Sequence, residues 1–288
     1  MSPNTTRRAL SSVNLAQRIE KGFIYLILLS GGLLILVPLW WMISTSLKRP
    51  AEVFTFPPTF LPETLRWQNY VDIFEKAPFG RYFLNTTYVV FMDMIGTLLS
   101  ASMVGFAFAR LRWRGRDAFF VLTLATMMLP GAVTLIPRYL IFKELHWLDT
   151  FLPLWVPSFF GYPFFIFLMR QFYATIPYEL DDAARIDGCS DFGVWWRINL
   201  PLTLPALAAC GIFTFNATWN DFLGPLIYLS SQNKLTLALG LMAFRGPHVT
   251  DFHYLMAAST IAMLPVVVLF FFAQKYFIQG IVFTGVKG

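Results

Sequence analysis

The chain has 288 residues, of which 57% are hydrophobic and only 13% are charged. A soluble domain carries about 25% charged residues, so the composition excludes an ordinary soluble protein and indicates a protein that crosses a membrane. The formal net charge of +6 fits basic residues that flank membrane-spanning segments and does not require a nucleic-acid partner.

Six apolar segments are long enough to cross the hydrocarbon core of a bilayer, which takes roughly 20 residues. The second segment contains one acidic residue, Asp93, and several contain prolines, which a membrane helix tolerates where neighbours satisfy the freed carbonyl groups. We therefore predict an all-α membrane protein whose six-helix transmembrane domain spans residues 22–278. The predicted helices cover residues 22–46, 82–109, 117–137, 150–173, 203–229 and 254–278.

The distribution of basic residues predicts the orientation. An even number of spans places both termini on one side, and the Lys and Arg count decides which side is cytoplasmic. Thirteen lie in the N-terminal segment, the loops after spans two and four and the C-terminal tail, against nine on the other side. The N-terminal segment 1–21 and the tail 279–288 are therefore expected to be cytoplasmic, together with the loop 174–203.

The loop 174–203 begins with the pattern of a short helix. Pro177 suits a first helical position, and the acidic residues after it are favoured at a helix N-terminus. Asp181 and Arg185 are four residues apart, so we expect them to form an ion pair. Gly188 is then expected to stop the helix in the left-handed conformation.

Apolar side chains give this loop a candidate docking surface. Leu180, Ala183 and Ala184 are predicted to share one helix face, where the two alanines leave room for another backbone. A second helix is expected from the N-cap Ser190 to Pro201, with three aromatic residues on one side. These are Phe192, Trp195 and Trp196. The pattern is typical of a partner-docking element, and equally of a loop whose tryptophans lie at the lipid headgroups.

Two acidic residues are predicted to lie in the outer half of the bilayer. Asp93 and Asp221 are costly there, so each is expected to face protein or water. Asn216, Trp219 and Asn220 are expected to share a helix face just before Asp221. Aromatic faces, amides and carboxylates suit the recognition of sugars, so these five residues are a candidate substrate pathway. A structural hydrogen bond or a shallow interfacial position would explain the two carboxylates equally well.

One pattern of spacings in the loop is specific. It consists of Asp182, Ala183, Ala184, Gly188, Ile198 and Pro201. At these spacings the chain resembles the Glu-Ala-Ala loop of ABC importer permeases, and further stretches resemble the carbohydrate, maltose-type subfamily. Those stretches are MMLPGAVTLIPRYLIF, MRQFYATIPYELDDAARIDG, WNDFLGPLIYLSS and FIQGIVFTGVKG. One departure is Asp182, which stands where the family usually has Glu.

The resemblance implies a type I ABC importer permease fold in the cytoplasmic (inner) membrane of a bacterium or archaeon. It implies a subunit that translocates a carbohydrate by alternating access, with the loop 174–203 as the coupling helix and the residues of the pattern above carrying the coupling. The chain contains no Gly-x-x-x-x-Gly-Lys-Ser/Thr loop that would hold nucleotide phosphates. ATP and magnesium are therefore expected on partner subunits, and no cofactor is expected in this chain.

The same resemblance implies the partners. They are a homologous second permease, two ATP-binding subunits and an extracytoplasmic solute-binding protein, besides membrane lipid and the carbohydrate itself. The outer loop 230–253 corresponds to a segment that contacts the binding protein in maltose-type relatives. The end of the chain matches a tail that reaches toward the ATPases in those relatives. That tail consists of Gly285, Val286, Lys287 and Gly288.

A second class of transporter is compatible with the composition. In an ion-coupled secondary transporter, Asp93 and Asp221 would hold a proton or another cation. The chain has no internal repeat, which many transporters of that class show. Uptake that persists without ATP and collapses with the ion gradient would favour this alternative. No catalytic or metal-binding residue is predicted, and the sequence does not determine the particular sugar.

Overall fold

The structure is a computed structural model that describes the backbone of residues 3–245 and 250–285, with side chains described for residues 20–245 and 250–274. The chain forms two compact units. One comprises Met1–Asp72 and Gly246–Thr260, and the other comprises Ile73–Arg245 and Ile261–Gly288. Of the predicted outer loop and tail, residues 246–249 and 286–288 lie outside the described residues.

Helices dominate the described part of the chain. In order they are α1 (Pro3–Ser46), α2 (Pro50–Val53), α3 (Asn69–Lys76), α4 (Phe79–Arg110), α5 (Arg116–Ala125), α6 (Gly131–Glu144), α7 (Leu152–Trp155), α8 (Pro163–Tyr173), α9 (Tyr178–Ile186), α10 (Asp191–Gly193), α11 (Leu200–Leu202), α12 (Leu204–Trp219), α13 (Leu223–Tyr228), α14 (Leu237–Gly240) and α15 (Phe252–Gly285). A 3₁₀ turn, Val156–Phe160, joins α7 to the α8 segment, and a π-helical turn, Val194–Asn199, joins α10 to α11.

The helices account for the six predicted spans. Among the described residues, four helical segments are long and apolar enough to cross a membrane, and two bent pairs meet the same criterion together. The four are Glu20–Ser46, Phe79–Arg110, Leu152–Tyr173 and Phe252–Gln274. The bent pairs are Arg116–Met128 with Gly131–Glu144, at 100°, and Asp191–Leu202 with Leu204–Trp219, at 78°. Counting each pair as one span gives six.

The bends correct two predicted spans. The third was predicted to end at residue 137, but it continues to Glu144 after its bend at Pro130, which has no N–H and favours the extended backbone of Leu129. The fifth was predicted to run from 203 to 229, with Pro201 ending the segment before it. Instead, Pro201 lies near the C-terminal end of the helical segment Asp191–Leu202, directly after the π-helical turn, and the bend follows at Thr203.

In the first unit, side chains hold the turn that follows α1. Asn69 Nδ2 donates to the carbonyl oxygens of Ser46 at 2.8 Å and Lys48 at 2.9 Å. At the start of α15, the Tyr254 hydroxyl donates to Asp72 Oδ2 at 3.1 Å. The Asn69 contacts satisfy backbone carbonyls at and just after the end of a membrane helix, where the helix itself supplies no partner.

In the second unit, α4 packs along both α8 and α12. More than half of the apolar window of α4 is buried (56%), whereas the windows of the other three single-helix spans are much more exposed. The core at its C-terminal end includes Met169 and Tyr173 of α8, Ala184 of α9 and Trp195 of the π-helical turn. The predicted coupling loop is therefore part of the same core as the membrane helices.

Candidate functional site

The loop between α8 and α12 contains a short helix with defined ends. The helix α9 begins after Pro177, and Gly188 follows it in the left-handed conformation with φ of +84°. The Ser190 hydroxyl then accepts a hydrogen bond from the Gly193 N–H at 3.2 Å, as an N-cap does. The predicted left-handed stop and the predicted cap are both confirmed.

Asp181 lies in the protein interior and holds α9 against the end of α4. Its Oδ2 lies 3.0 Å from Arg110 Nε, and both side chains are 0% exposed. Asn199 Nδ2 donates to Asp181 Oδ1 at 2.8 Å, and Arg110 Nη2 donates to the Pro177 carbonyl oxygen at 3.2 Å. Because buried charges are tolerated when they are paired and hydrogen-bonded, this group forms a defined joint between α4, α9 and the π-helical turn.

The predicted ion pair between Asp181 and Arg185 is wrong. Arg185 Nη1 lies 3.3 Å from Asp182 Oδ1, and its Nη2 lies 3.1 Å from Asp191 Oδ1. The four-residue spacing permits the predicted pair, but Asp181 turns toward α4 while Arg185 faces solvent. Since the Arg185 pairs are exposed, each contributes about 0–1 kcal/mol.

Tyr178 makes a second link between α9 and α4. Its hydroxyl donates to the Ala109 carbonyl oxygen at 3.0 Å, and the Arg110 guanidinium carbon lies 4.2 Å from the centre of its ring. Sequence reasoning missed this joint. The available signal was Arg110 itself, since an arginine that ends a 32-residue apolar helix needs an acidic or aromatic partner when it is buried.

The predicted coupling residues fall into two groups. Those exposed to solvent are Asp182, Ala183, Gly188 and Pro201. Ala184 is buried in the core (5% exposed), and Ile198 is half-buried. The expectation that Ala183 and Ala184 share one open face is therefore wrong, because consecutive helical residues do not face the same way. Leu180 remains with Ala183 on the exposed side.

The second predicted helix, from Ser190 to Pro201, does not expose all three of its aromatic side chains. Trp195 is only 3% exposed and belongs to the core, whereas Phe192 and Trp196 are 62% and 52% exposed. The three rings still contact one another, with centres 5.2 Å apart for Phe192 and Trp195 and 5.5 Å apart for Trp195 and Trp196. Trp195 therefore anchors the loop, and the other two rings remain available to a partner or to lipid.

A polar recess of about 600 Å³ opens beside the exposed coupling residues. It is lined by Arg110, Leu111, Arg112, Trp113, Tyr178, Asp182, Arg185 and Asp191. Both signs of charge are present, so the recess suits a charged side chain of another protein better than an apolar ligand.

A second cavity, of about 340 Å³, lies against the middle of α4 and contains both membrane carboxylates. It is lined by Asp93, Leu154, Tyr162, Phe165, Thr214, Ala217, Thr218 and Asp221. Asp93 is only 4% exposed, and its Oδ2 accepts a hydrogen bond from the Thr218 hydroxyl at 2.5 Å. Two of the five predicted pathway residues are thus brought together from two different spans.

The other three predicted pathway residues do not line this cavity. Trp219 is buried, its Nε1–H donates to the Ala262 carbonyl oxygen at 2.9 Å, and its ring stacks on Phe215. Asn220 and Asn216 are exposed, and Asn220 Nδ2 donates to Asn216 Oδ1 at 3.1 Å. The prediction that Trp219 presents its ring to a sugar in this pathway is therefore wrong, because the core already uses both its ring and its N–H.

Comparison with known proteins agrees with this geometry. The profile of the family described as "Binding-protein-dependent transport system inner membrane component" matches residues 101–282. The chain belongs to this family. The match includes the whole of the loop 174–203 and α12, but it begins after Asp93.

Two relatives are similar to the permease over most of its length. The probable ABC transporter permease protein YurM of Bacillus subtilis (strain 168) is 34% identical, over 92% of this chain and 86% of the relative. The arabinooligosaccharides transport system permease protein AraQ of Halalkalibacterium halodurans is 36% identical, over 85% of this chain and 86% of the relative.

A solved structure confirms the fold. It is a chain from the crystal structure of a bacterial ABC transporter involved in the import of the acidic polysaccharide alginate. The TM-score is 0.82 at 24% sequence identity, covering 91% of the permease and 98% of that chain. The type I importer permease fold is thus shared. The permease is a multi-pass membrane protein and a translocation subunit that works with other components of an ABC transport system.

Asp149 forms a polar link outside the spans that sequence reasoning also missed. Its carboxylate accepts hydrogen bonds from the Ser231 hydroxyl and from the backbone N–H groups of Ser231 and Ser230, with Lys234 Nζ 3.0 Å from Oδ2. The Ser231 hydroxyl, these N–H groups and Lys234 together hold the pKa of the Asp149 carboxyl well below its usual range. The link ties the loop before α7 to the loop after α13.

Proposed function

We propose that the permease is the membrane subunit of an ATP-driven importer that translocates a carbohydrate, either a sugar, an oligosaccharide or a related polyol. The AraQ relative is named for the transport of arabinooligosaccharides, which supports this substrate class. The 340 Å³ cavity supports it as well, since carboxylates, hydroxyls and aromatic rings converge there. Transport proceeds by alternating access.

The importer contains a homologous second permease, two ATP-binding subunits and an extracytoplasmic solute-binding protein. ATP and magnesium bind to the ATP-binding subunits. Both termini of the permease and its loop 174–203 lie in the cytoplasm, where the ATP-binding subunits are. The outer loop 230–253 contacts the binding protein, and the tail from Gly285 to Gly288 reaches toward the ATP-binding subunits.

The observation that carries the proposal is the buried joint between Arg110 and Asp181. The exposed residues of the loop, among them Asp182, Ala183 and Gly188, contact an ATP-binding subunit, while Ala184 and Ile198 hold the loop to the membrane helices. A displacement of α9 moves α4 as well, because the buried charges of Arg110 and Asp181 cannot separate into solvent. Asp93 lies 17 residues from Arg110 on the same helix, about 25 Å along its axis.

Gly188→Pro tests the coupling role. Proline fixes φ near −65°, so it cannot adopt the +84° that ends α9. We expect this variant to insert into the membrane normally, to lose association with the ATP-binding subunits and to lose ATP-driven uptake. The measurement is co-purification of the ATP-binding subunits, followed by uptake of arabinooligosaccharide into proteoliposomes that contain the binding protein.

Gly115→Pro is the matched control. Gly115 also has a positive φ, +85°, and follows α4 on the same side of the membrane, but it lies outside the coupling loop. Normal recruitment of the ATP-binding subunits by the Gly188→Pro variant would contradict the assignment, as would equal loss in the control. Uptake that continues without ATP and stops when the ion gradient is removed would instead favour an ion-coupled transporter that uses Asp93 and Asp221.

A further inference from the structure

The 340 Å³ cavity lies where the span Leu152–Tyr173 is interrupted and where the helix α12 ends. Gly161, with φ of +90°, separates the 3₁₀ turn Val156–Phe160 from α8, and residues 220–222 separate α12 from α13. Both interruptions border the cavity, through Tyr162 and Asp221. Non-helical backbone at membrane depth is tolerated only where it is buried in protein or lines a water-filled cavity. The two breaks in the helices are therefore consistent with a cavity at this position in the bundle.

Asp93 is incompletely satisfied inside this site. Its Oδ2 accepts from Thr218, but its Oδ1 is buried and accepts no hydrogen bond from the described residues. The neighbouring Ser158 hydroxyl lies within reach of Asp93 but donates to the Trp155 carbonyl oxygen at 2.6 Å. No Lys or Arg among the described residues forms an ion pair with Asp93. A buried acceptor without a donor is costly, so the site favours a ligand that brings a donor.

Asp221 supplies a second acceptor that is already oriented. Its Oδ1 accepts a hydrogen bond from the Gly224 N–H at 3.1 Å, which fixes the carboxylate at the first turn of α13. The rings of Tyr162 and Phe165 also line the cavity and contact each other edge to face with centres 6.3 Å apart. The cavity thus combines two carboxylate acceptors with two aromatic rings.

We propose that this cavity is a carbohydrate subsite belonging to the permease itself, in which Asp93 and Asp221 accept hydrogen bonds from solute hydroxyl groups and Tyr162 and Phe165 cover the apolar face of one sugar ring. The proposal rests on the function proposed above. It names this subunit, and not only its partner permease, as a holder of the solute.

Size and lining favour a sugar over a bare cation. Ligand pockets in proteins start at about 300 Å³, so a volume of about 340 Å³ suits one sugar ring of a longer chain. A cation requires a close shell of oxygen ligands, about six to eight at 2.3–2.6 Å for calcium. This cavity is much wider than such a shell, and Leu154, Phe165 and Ala217 give it apolar walls.

Protection of an introduced cysteine tests the subsite. Ala217→Cys places a thiol on the cavity wall in a chain whose own cysteines, Cys189 and Cys210, are replaced by alanine. Ala208→Cys is the control, because Ala208 also lies on α12 but lines an apolar groove with Leu98. The full importer, with its ATP-binding subunits and binding protein, is reconstituted in proteoliposomes. The rate of reaction with a small maleimide is then measured with and without arabinooligosaccharides.

We expect the sugar to slow labelling at position 217 and to leave labelling at position 208 unchanged. At ten times the half-protecting concentration, mass action gives about tenfold slower labelling. Adding Asp93→Asn removes a charged acceptor but keeps the side-chain shape. The half-protecting sugar concentration should then rise about tenfold, because the sugar loses roughly one hydrogen bond to a charged group.

Two outcomes overturn the subsite. In an importer that still takes up the sugar at the expense of ATP, equal labelling rates with and without sugar would refute the subsite and leave the proposed function standing. Protection by sodium ions or by a pH step, and not by sugar, would assign the cavity to a cation. A loss of ATP-driven uptake of every sugar tried, before any cysteine is introduced, would reject the proposed function and the subsite together.

Discussion

Asp181 and Asp93 are two buried carboxylates of the same unit that differ in what surrounds them. Asp181, beside the C-terminal end of α4, meets a guanidinium at 3.0 Å and an amide at 2.8 Å. Asp93, in the middle of α4, meets the Thr218 hydroxyl and lies beside the Ser158 hydroxyl, with no cation partner among the described residues. The comparison separates two uses of a buried carboxylate: one that is paired with a cation fixes helices to one another, and one without a cation partner among the described residues is left for a ligand.

Mutations near Asp181 and at Asp93 are expected to change the free energy of unfolding by different amounts. Breaking a buried ion pair by removing one partner typically costs about 3–5 kcal/mol, because it leaves an uncompensated charge. A buried carboxylate without a partner instead lowers the free energy of unfolding when no ligand is bound, and ligand binding restores it. The two parts of α4 are thus expected to respond to mutation in different assays: its C-terminal end, which contacts Asp181, in stability and assembly, and its middle, at Asp93, in solute binding.

Arg110→Ala is expected to have the largest effect. It leaves Asp181 buried without its cation, which should destabilise the permease by about 3–5 kcal/mol. It also removes the guanidinium from the ring of Tyr178. Thermal unfolding of the purified permease in detergent measures the loss. ATP-driven uptake should fall with it, because α9 is no longer held to α4.

Arg185→Ala is the control for this prediction, since its pairs with Asp182 and Asp191 are exposed and contribute about 0–1 kcal/mol. The double variant Arg110→Met with Asp181→Leu sharpens the test. Replacing both charges by apolar side chains removes the unpaired charge, so stability should recover relative to Arg110→Ala. Similar unfolding temperatures for Arg110→Ala and Arg185→Ala would show that the buried pair is not the joint we describe.

Trp219→Phe is expected to have a smaller effect, confined to stability. Phenylalanine keeps a ring against Phe83 and Phe215 but loses the hydrogen bond to the Ala262 carbonyl oxygen, which costs about 1 kcal/mol. Half-protecting sugar concentrations at position 217 should not change, since Trp219 does not line the cavity. A shift as large as that of Asp93→Asn would place Trp219 back in the pathway. Asn220→Ala, at an exposed position, should alter neither quantity.

The local signals of the sequence predicted much of the coupling loop. Gly188, Ser190 and the acidic first turn of α9 are short-range features, and each depends on residues within one helical turn. The six apolar spans could be predicted for a similar reason, because membrane thickness fixes their length. Pro130 indicated a kink in the third span, but the 100° angle of the bend depends on the helices that pack around it.

The long-range contacts could not be predicted from the same signals. Arg110 and Asp181 are separated by 71 positions in the sequence, and Asp93 and Thr218 by 125. Spacing rules placed Trp219 beside Asn216 on a helix face, but they do not say which face a neighbouring helix covers. Of the predicted pathway residues, Asp93 and Asp221 line the cavity, whereas its other residues, among them Thr218, Tyr162 and Phe165, were not predicted.

Asp149 is a third carboxylate, outside the predicted spans, and its mutation is expected to have the smallest effect on stability. Its neighbours lower its pKa in the folded protein, so it stabilises the fold above the unfolded pKa of about 3.9. This contribution is lost as the pH falls from there toward the folded pKa. Asp149→Asn should therefore be less stable at pH 7, by about 1 kcal/mol for such a partly exposed group, and the difference should shrink in acid.

The substitution isolates the charge because asparagine, like aspartate, tolerates the left-handed backbone that Asp149 adopts at φ of 55°. Glu144→Gln, at an exposed position just before this loop, is the control and should change stability little at any pH. Unfolding curves of the three proteins between pH 7 and pH 3 measure the effect. A difference between Asp149→Asn and the unmodified permease that stays constant over this range would mean that the loops are held by shape and not by the carboxylate charge.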